Sequence, residues 1–347
     1  MTTAGAIDQD RSVPSPADEA VGEPAGLLSR TAALMGGHVG VHLSPGGVAY
    51  GGGSAQARDA DAADAEAVLR RIAAWADRLT RFTTTSELSR LNDDPRAAVP
   101  VGPTLAAVLD WGRQAENLTG GIVDIGLLDA RLAAEAAPAD AGARAATSNL
   151  ASRASRSWSL DRRARGAVVR RPVGLRFDLD GIGKGWLADR ALDRLDRHPA
   201  AVVDADGDVA IRIDAGMAWS FGVADPRLDG HDLAVLRLTA RHRGSRRADG
   251  RFGLATSGTS VHRWDRDDGP THHLIDPRTG RSADTDVVQA TVLARTAREA
   301  EALAKSVVIL GLVAGYALLE RSGVDGAILL TDRAEVVVHP STDRWLA

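Results

Sequence analysis

Five short segments gather side chains able to hold or move charge. Ser86 to Asn92, SELSRLN, offers hydroxyls, a carboxylate, a guanidinium and an amide within seven residues, a density suited to a polar ligand. The same residues also read as a helix N-terminus, with Ser86 as its cap and Ser89 to Asn92 in solvent. Phe177 to Leu192, FDLDGIGKGWLADRAL, passes through Gly181, Gly183 and Gly185 towards a helix. Glycines let a backbone approach a ligand closely, a helix N-terminus presents free N–H groups, and Lys184 adds positive charge, which together suit a phosphate. The stretch is neither a Walker A loop nor the dinucleotide fingerprint, and a plain strand-to-helix turn is its other reading.

Val203 to Ile211, VDADGDVAI, has the acidic composition of a calcium loop but lacks the later glutamate and the helical flanks, so a tight hairpin is the better reading. Leu254 to Trp264, LATSGTSVHRW, and Thr271 to Gly280, THHLIDPRTG, bring hydroxyls, two histidines, Asp276 and Arg278 around a proline-containing turn. Histidine exchanges protons near neutral pH, although a lone one is more often structural.

The elements that must position these segments are legible from periodicity. Leu34 to Leu43 reads as a strand with glycine interruptions, followed by a Gly-rich turn at Pro45 to Gly53, a likeness to a hairpin. Val68, Ile72, Trp75 and Leu79 fall on one face of a helix over 61–80, and Leu105, Val108, Leu109 and Gly112 repeat the pattern over 104–118, with a stop at Thr119-Gly120-Gly121. Ala130 to Arg156 is Ala-rich and weakly patterned. Strands are expected at 158–160, 167–170, 175–179, 201–204, 209–213, 219–224, 232–239, 272–275 and 287–294, with a helix over 184–197. Helices at 296–310 and 312–322 and a hairpin of 327–330 with 336–339 complete the reading. Strands and helices mixed without regular βαβ units predict an α+β fold.

The chain has 347 residues, 44% hydrophobic and 25% charged, which is ordinary soluble usage with room for a sizeable core. A net charge of −4 with both signs interspersed provides no cationic field for nucleic acid. Absence of cysteine excludes disulfides, thiolate metal sites and thiol nucleophiles. Residues 1–26 are too polar and Pro-rich to pack and read as a disordered tail before a domain spanning 27–347. That tail lacks the apolar segment of a secretory signal, and no later run is read as a membrane span, so the expected location is cytoplasmic.

Taken in order, these segments resemble the FAD:protein FMN transferase family, the ApbE-like proteins, over about Leu34 to Leu330. The family pattern opens with a Met-Gly motif, here Met35-Gly36, and continues with S-E-[IL]-S-R-[LI]-N, matched in full by Ser86 to Asn92. D-[LF]-G-G-I-A-K-G is matched by Asp178 to Gly185, with Asp180 and Gly183 replacing two small residues. A glycine turn corresponds to Asp206 to Val209, and the ATSG and H-x-[IL]-D-P-[RK]-T-G pair to Ala255–Gly258 and His273–Gly280.

The resemblance implies an α+β fold of two related α/β halves around a flavin cleft, with FAD between them and Mg²⁺ at its pyrophosphate. A Thr or Ser hydroxyl of an acceptor protein attacks the FMN-side phosphorus and AMP leaves. It implies His273 and Lys184 as catalytic residues, His273 taking or orienting the hydroxyl proton and Lys184 lying near the phosphates. Met35, Ser86, Glu87, Arg90, Asp124, Asp178, Lys184, Thr256, Ser257 and Asp276 are implied to line or buttress the cleft. Such a transfer needs mainly positioning and neutralisation of phosphate charge.

Two departures stand out. Asp124 to Asp129, DIGLLD, keeps the aspartate of the family's D-P-[TS]-x-G-P-L but loses its hydroxyl and proline. The implied metal ligands are the Gly181 carbonyl with an Asp and a Thr four residues apart, where this chain has Glu301 and Lys305. A charged ammonium donates no lone pair, so Lys305 is read either as half of an i, i+4 ion pair with Glu301 or as a partial stand-in for the metal's charge. Alternatives to the transferase are an FAD-binding or FAD-hydrolysing protein without flavinylation activity, and a structural or regulatory protein with a vestigial pocket.

Overall fold

Period-two burial builds the sheet. In strand β2 (Gly37–Leu43), Val39, Val41 and Leu43 point into the core, and the strand pairs with β1 (Leu28–Leu34) across a two-residue turn at Met35 and Gly36, both with positive φ. The hairpin thus turns at Met35-Gly36, earlier than sequence periodicity indicates, because this pair adopts the left-handed conformations that a tight hairpin needs. The computed structural model describes residues 27–44, 55–136, 157–214, 217–240, 250–260, 263–264 and 271–347. The expected tail over 1–26, the turn at Pro45 to Gly53 and the later part of the Ala-rich excursion, 137–156, lie outside the described residues.

The remaining strands of the main sheet are β6 (Ala200–Ala205), β7 (Asp208–Ile213), β10 (Arg251–Gly258), β15 (Val287–Ala294), β16 (Gly326–Thr331) and β17 (Val336–Val338). Their order is β1-β2-β6-β7-β10-β15-β16-β17, antiparallel throughout. Two related halves are visible in this order. In each, an antiparallel pair (β1–β2 or β10–β15) is followed, after intervening chain, by a helix and then a hairpin (β6–β7 or β16–β17) that extends the same sheet.

Helices cover one face. α1 (Ala55–Leu79) buries Val68, Ile72 and Leu79 and leaves Trp75 half-buried, as its spacing predicts. α2 (Glu87–Asp93), α3 (Pro103–Leu118) and α4 (Leu128–Glu135) follow, with β3 (Ala98–Val101), β4 (Ser159–Arg162) and β5 (Ala167–Arg170) forming a small sheet of order β3-β5-β4. α5 (Gly183–Leu192) and α6 (Ala297–Ser322) cross beneath the sheet. Full burial of side chains such as Ile72, Leu192 and Leu303 stabilises this layer by roughly 1.5–3 kcal/mol each. The opposite face is covered by the ribbon of β8 (Ala218–Ala224) and β9 (Asp232–Thr239), with Trp345 packed edge-on to Phe252, ring centres 5.4 Å apart.

Helix α6 is 26 residues long and apolar enough to cross a membrane by length and composition, contrary to the reading that no run reaches that size. Its packing here is that of a core helix: 61% of the apolar window is buried against the protein. Gly311, at φ 77°, breaks it between the two helices expected from sequence, and Asp286 caps the second by accepting from the Leu312 N–H at 2.7 Å.

The N-terminus of α6 is fixed by close approach. A Cβ on Gly185 would lie 2.7 Å from the Ala297 backbone, and one on Gly253 would overlap Thr296. Asp189 of α5 accepts from the N–H groups of Ala297 (3.0 Å) and Arg298 (3.2 Å), satisfying two donors that a helix start leaves unpaired. This wedge carries Glu301 and Lys305, one and two turns further on, to the glycine-rich start of α5.

Candidate active site

The segment from Leu175 to Leu179 is expected to be a strand, yet it joins no ladder. Its backbone bonds go elsewhere. Asn92 of α2 accepts from the Phe177 N–H and donates to the Phe177 carbonyl, both at 2.8 Å, and Asp178 N–H donates to the Ile125 carbonyl at 2.8 Å. The chain then turns through Asp180 and Gly181 into α5.

Both readings of SELSRLN can now be compared with structure. Ser86 is the N-cap of α2, accepting from the Ser89 N–H at 2.9 Å, and Glu87 accepts from the Gly102 N–H at the start of α3. Ser89 and Asn92 are buried rather than solvated, because the helix presses that face onto the Phe177 segment. Arg90 is exposed. Ser86, Glu87 and Arg90 line none of the cavities described below; the motif meets the cleft through Leu88 and through the chain that Asn92 holds.

Adjoining cavities meet at Asp180. A largely apolar one of about 460 Å³ is walled by Met35, Leu79, Phe82, Leu88, Leu179 and Leu187, and shares Asp178, Asp180 and Lys184 with the polar side. A second, of about 90 Å³, brings Lys184, Asp208, Thr256, Ser257, His273 and Lys305 together with Asp180. A third, of about 30 Å³, adds Asp124, Arg131 and Asp178 to Gly181, His273 and Lys305. The structure therefore gathers Met35, Asp124, Asp178, Gly181, Lys184, Thr256, Ser257, His273, Glu301 and Lys305 into one cleft from segments scattered along the chain.

Tertiary packing assigns individual roles within the motifs. Of the two adjacent histidines, His272 ties its ring to the Ala283 carbonyl at 3.0 Å and burial pushes its pKa down, whereas His273 faces the cleft. Asp276 is committed to its own turn, accepting from the Arg278 backbone (2.8 Å) and pairing with the Arg278 guanidinium (2.8 Å), so it buttresses the loop that carries His273. The Thr256 hydroxyl is 2.8 Å from that of Thr291, and Asp124 accepts from the Gly126 N–H at 2.8 Å.

Lys184 reaches from the first turn of α5 to Asp206, at 2.8 Å, in the β6–β7 turn. This turn is a two-residue hairpin with Asp206 at φ 59° and Gly207 at φ 92°, as the hairpin reading of VDADGDVAI requires. Burial works against the Lys184 ammonium, but Asp206, Asp208 and Asp180 together raise its pKa. Partial desolvation of Asp180 is outweighed by Lys305, Arg131, Lys184 and His273, which hold its carboxyl below the ordinary range. Burial, with Asp180 nearby, raises Asp178.

Two arginines of the cleft were not apparent from spacing. Arg81 pairs with Glu135 (2.5 Å) and approaches Asp178 (3.8 Å); Arg131 pairs with Glu135 (2.8 Å), approaches Asp180 (3.9 Å) and lies over Trp264, 5.0 Å from the ring centre. The available signal for Arg131 was its i, i+4 spacing from Glu135 on the Ala-rich α4.

The residues at the implied metal position do not fit a divalent cation. Glu301 accepts from the Gly185 N–H at 3.0 Å and lies within electrostatic reach of the Asp208 carboxyl, Lys184 and Lys305. Burial, with the Asp208 charge nearby, raises Glu301, and burial, with Asp204 and Asp206 nearby, pushes Asp208 up to about 7. The i, i+4 ion pair of Glu301 with Lys305 does not form at contact distance, because Glu301 turns to Gly185 and Asp208 instead. Lys305 lies against Gly181: a Cβ there would fall on its ammonium and 2.7 Å from its Cε. Among the described residues no group of three or more His, Cys, Asp or Glu is arranged to hold a metal.

Comparison with known proteins agrees with this architecture. The sequence profile of the ApbE family matches residues 35–328. A FAD:protein FMN transferase of Treponema pallidum is 32% identical over 174 residues, which are 46% of this chain and 45% of the relative. One from Klebsiella pneumoniae is 26% identical over 182 residues, 52% of this chain and 53% of the relative. These matches thus span about half the length of the relatives. Among solved structures, the apo flavinyl transferase ApbE of Pseudomonas stutzeri superposes with a TM-score of 0.69 at 21% identity, covering 92% of this chain and 96% of its own. The ApbE protein of Thermotoga maritima does so with a TM-score of 0.71 at 21% identity, covering 89% and 96%. With its motifs gathered in one cleft, its fold matched and its profile matched across residues 35–328, the chain belongs to the ApbE family.

Proposed function

We propose that the protein is an FAD:protein FMN transferase, moving FMN from FAD to a Thr or Ser hydroxyl of an acceptor protein. The observation that carries this reading is the convergence of Lys184, Ser257 and His273 on one cavity at the N-terminus of α5, in a chain of the ApbE family. Donors at a helix start and two ammonium groups favour phosphate there. In the reaction the acceptor oxygen bonds to the FMN-side phosphorus, the bond from that phosphorus to the bridging oxygen breaks, and AMP departs with the bridging oxygen. His273 takes the hydroxyl proton. Asp276 and Arg278 hold the loop that presents it. The adjoining apolar cavity beneath Met35 is large enough for a planar ring system.

The test is mass spectrometry of a Thr-containing acceptor peptide incubated with the protein and FAD. A mass gain equal to FMN less water, with equimolar AMP, is the expected result. Free FMN and AMP with an unmodified peptide would replace transfer by hydrolysis.

A further inference from the structure

We propose that this chain holds the FAD pyrophosphate without a divalent cation, the Lys305 ammonium supplying the positive charge at the Gly181 to Gly185 turn. The inference rests on the FAD reading above. Its first support is position. Gly181 has no side chain, and the space a Cβ would take is filled by the end of Lys305, so an added cation at this point would have to displace an ammonium. Mg²⁺ also demands near-octahedral oxygen ligands, and an ammonium among them supplies repulsion in place of a lone pair.

The second support is what Lys305 does with its charge. Lys184 is committed to Asp206 at 2.8 Å. Among the described residues Lys305 makes no hydrogen bond or ion pair at contact distance, while its field reaches Asp178, Asp180 and Glu301. It is half-buried, and it lines both small polar cavities beside His273. An ammonium with three donors, held in a crowded cleft without a contact partner, is arranged for an anionic ligand. The third support is anchorage. Asp189, Gly185 and Gly253 lock the start of α6, so the backbone that carries Lys305 is set before any ligand arrives.

The test is titration of FAD into the full chain, followed by flavin fluorescence, once in EDTA and once in excess Mg²⁺, with circular dichroism melts as the folding control. The two dissociation constants should agree within about twofold. Lys305→Ala should weaken binding about 10- to 100-fold, the loss of a charge-assisted hydrogen bond, and Lys305→Arg should restore most of it. Glu301→Asp with Lys305→Thr, which puts oxygen ligands where the ammonium stood, should make binding Mg²⁺-dependent. FAD binding by the natural chain that requires Mg²⁺, or a folded Lys305→Ala variant with unchanged affinity, overturns the inference and leaves the flavin reading standing. A folded chain that binds no FAD in either condition overturns both.

Discussion

Asn92 offers a sharp test of how the SELSRLN motif contributes to the cleft. Its buried amide accepts from the Phe177 N–H and donates to the Phe177 carbonyl, both at 2.8 Å, and this segment belongs to no sheet. Asn92→Ala removes both partners and leaves one buried donor and one buried acceptor unpaired. At about 1–3 kcal/mol for each orphaned group, the expected loss is about 2–6 kcal/mol, the lower end applying if water enters. Urea denaturation followed by far-UV circular dichroism measures it as a lower midpoint at unchanged slope. Asp178 and Asp180 follow directly on Phe177, so FAD affinity should fall in the same variant. Arg90→Ala is the control, since Arg90 is exposed on the same helix: within about 0.5 kcal/mol of the natural protein, with FAD affinity unchanged. An Asn92→Ala loss no larger than that of Arg90→Ala would refute the argument that this amide holds the cleft segment in place.

Three further outcomes follow from the same geometry. His273→Ala should lower flavin transfer by about 10²- to 10⁴-fold with little change in FAD affinity; parallel loss of both in single-turnover and binding assays would assign it a structural role. Gly181→Ala places a methyl on the Lys305 ammonium, the flexible end of a side chain, so melting should change little while FAD affinity drops; unchanged affinity would separate Lys305 from the ligand. Burial pushes the Asp189 carboxyl up to about 6 from an ordinary 3.8, so between those pH values the folded chain binds the extra proton. Stability from this group is therefore present below pH 3.8 and falls as pH rises towards 6, by about 3 kcal/mol. Asp189→Asn, which cannot ionise, should flatten that slope in melts across pH 4–6.

The sequence by itself determined much of this protein. Short-range periodicity places β15 at Val287–Ala294, breaks the last long helix at Gly311, and puts Val68, Ile72 and Leu79 on one face, because side-chain direction along a helix or strand is set by local backbone geometry. The order of the motifs carries the family. Tertiary structure alone decided which members of each motif meet the cleft. Asn92 turns inward and Arg90 outward, His272 binds a carbonyl and leaves His273 to the cavity, and Asp276 serves its own turn. Arg131, unremarkable in sequence, reaches the cleft on α4, and Arg81, just past the end of α1, meets it there through Glu135. Lys305 meets Gly181 rather than Glu301 because the wedge of Asp189, Gly185 and Gly253 fixes how α6 crosses α5. Each of these outcomes depends on contacts between residues far apart in the chain, and local spacing contains no term for them.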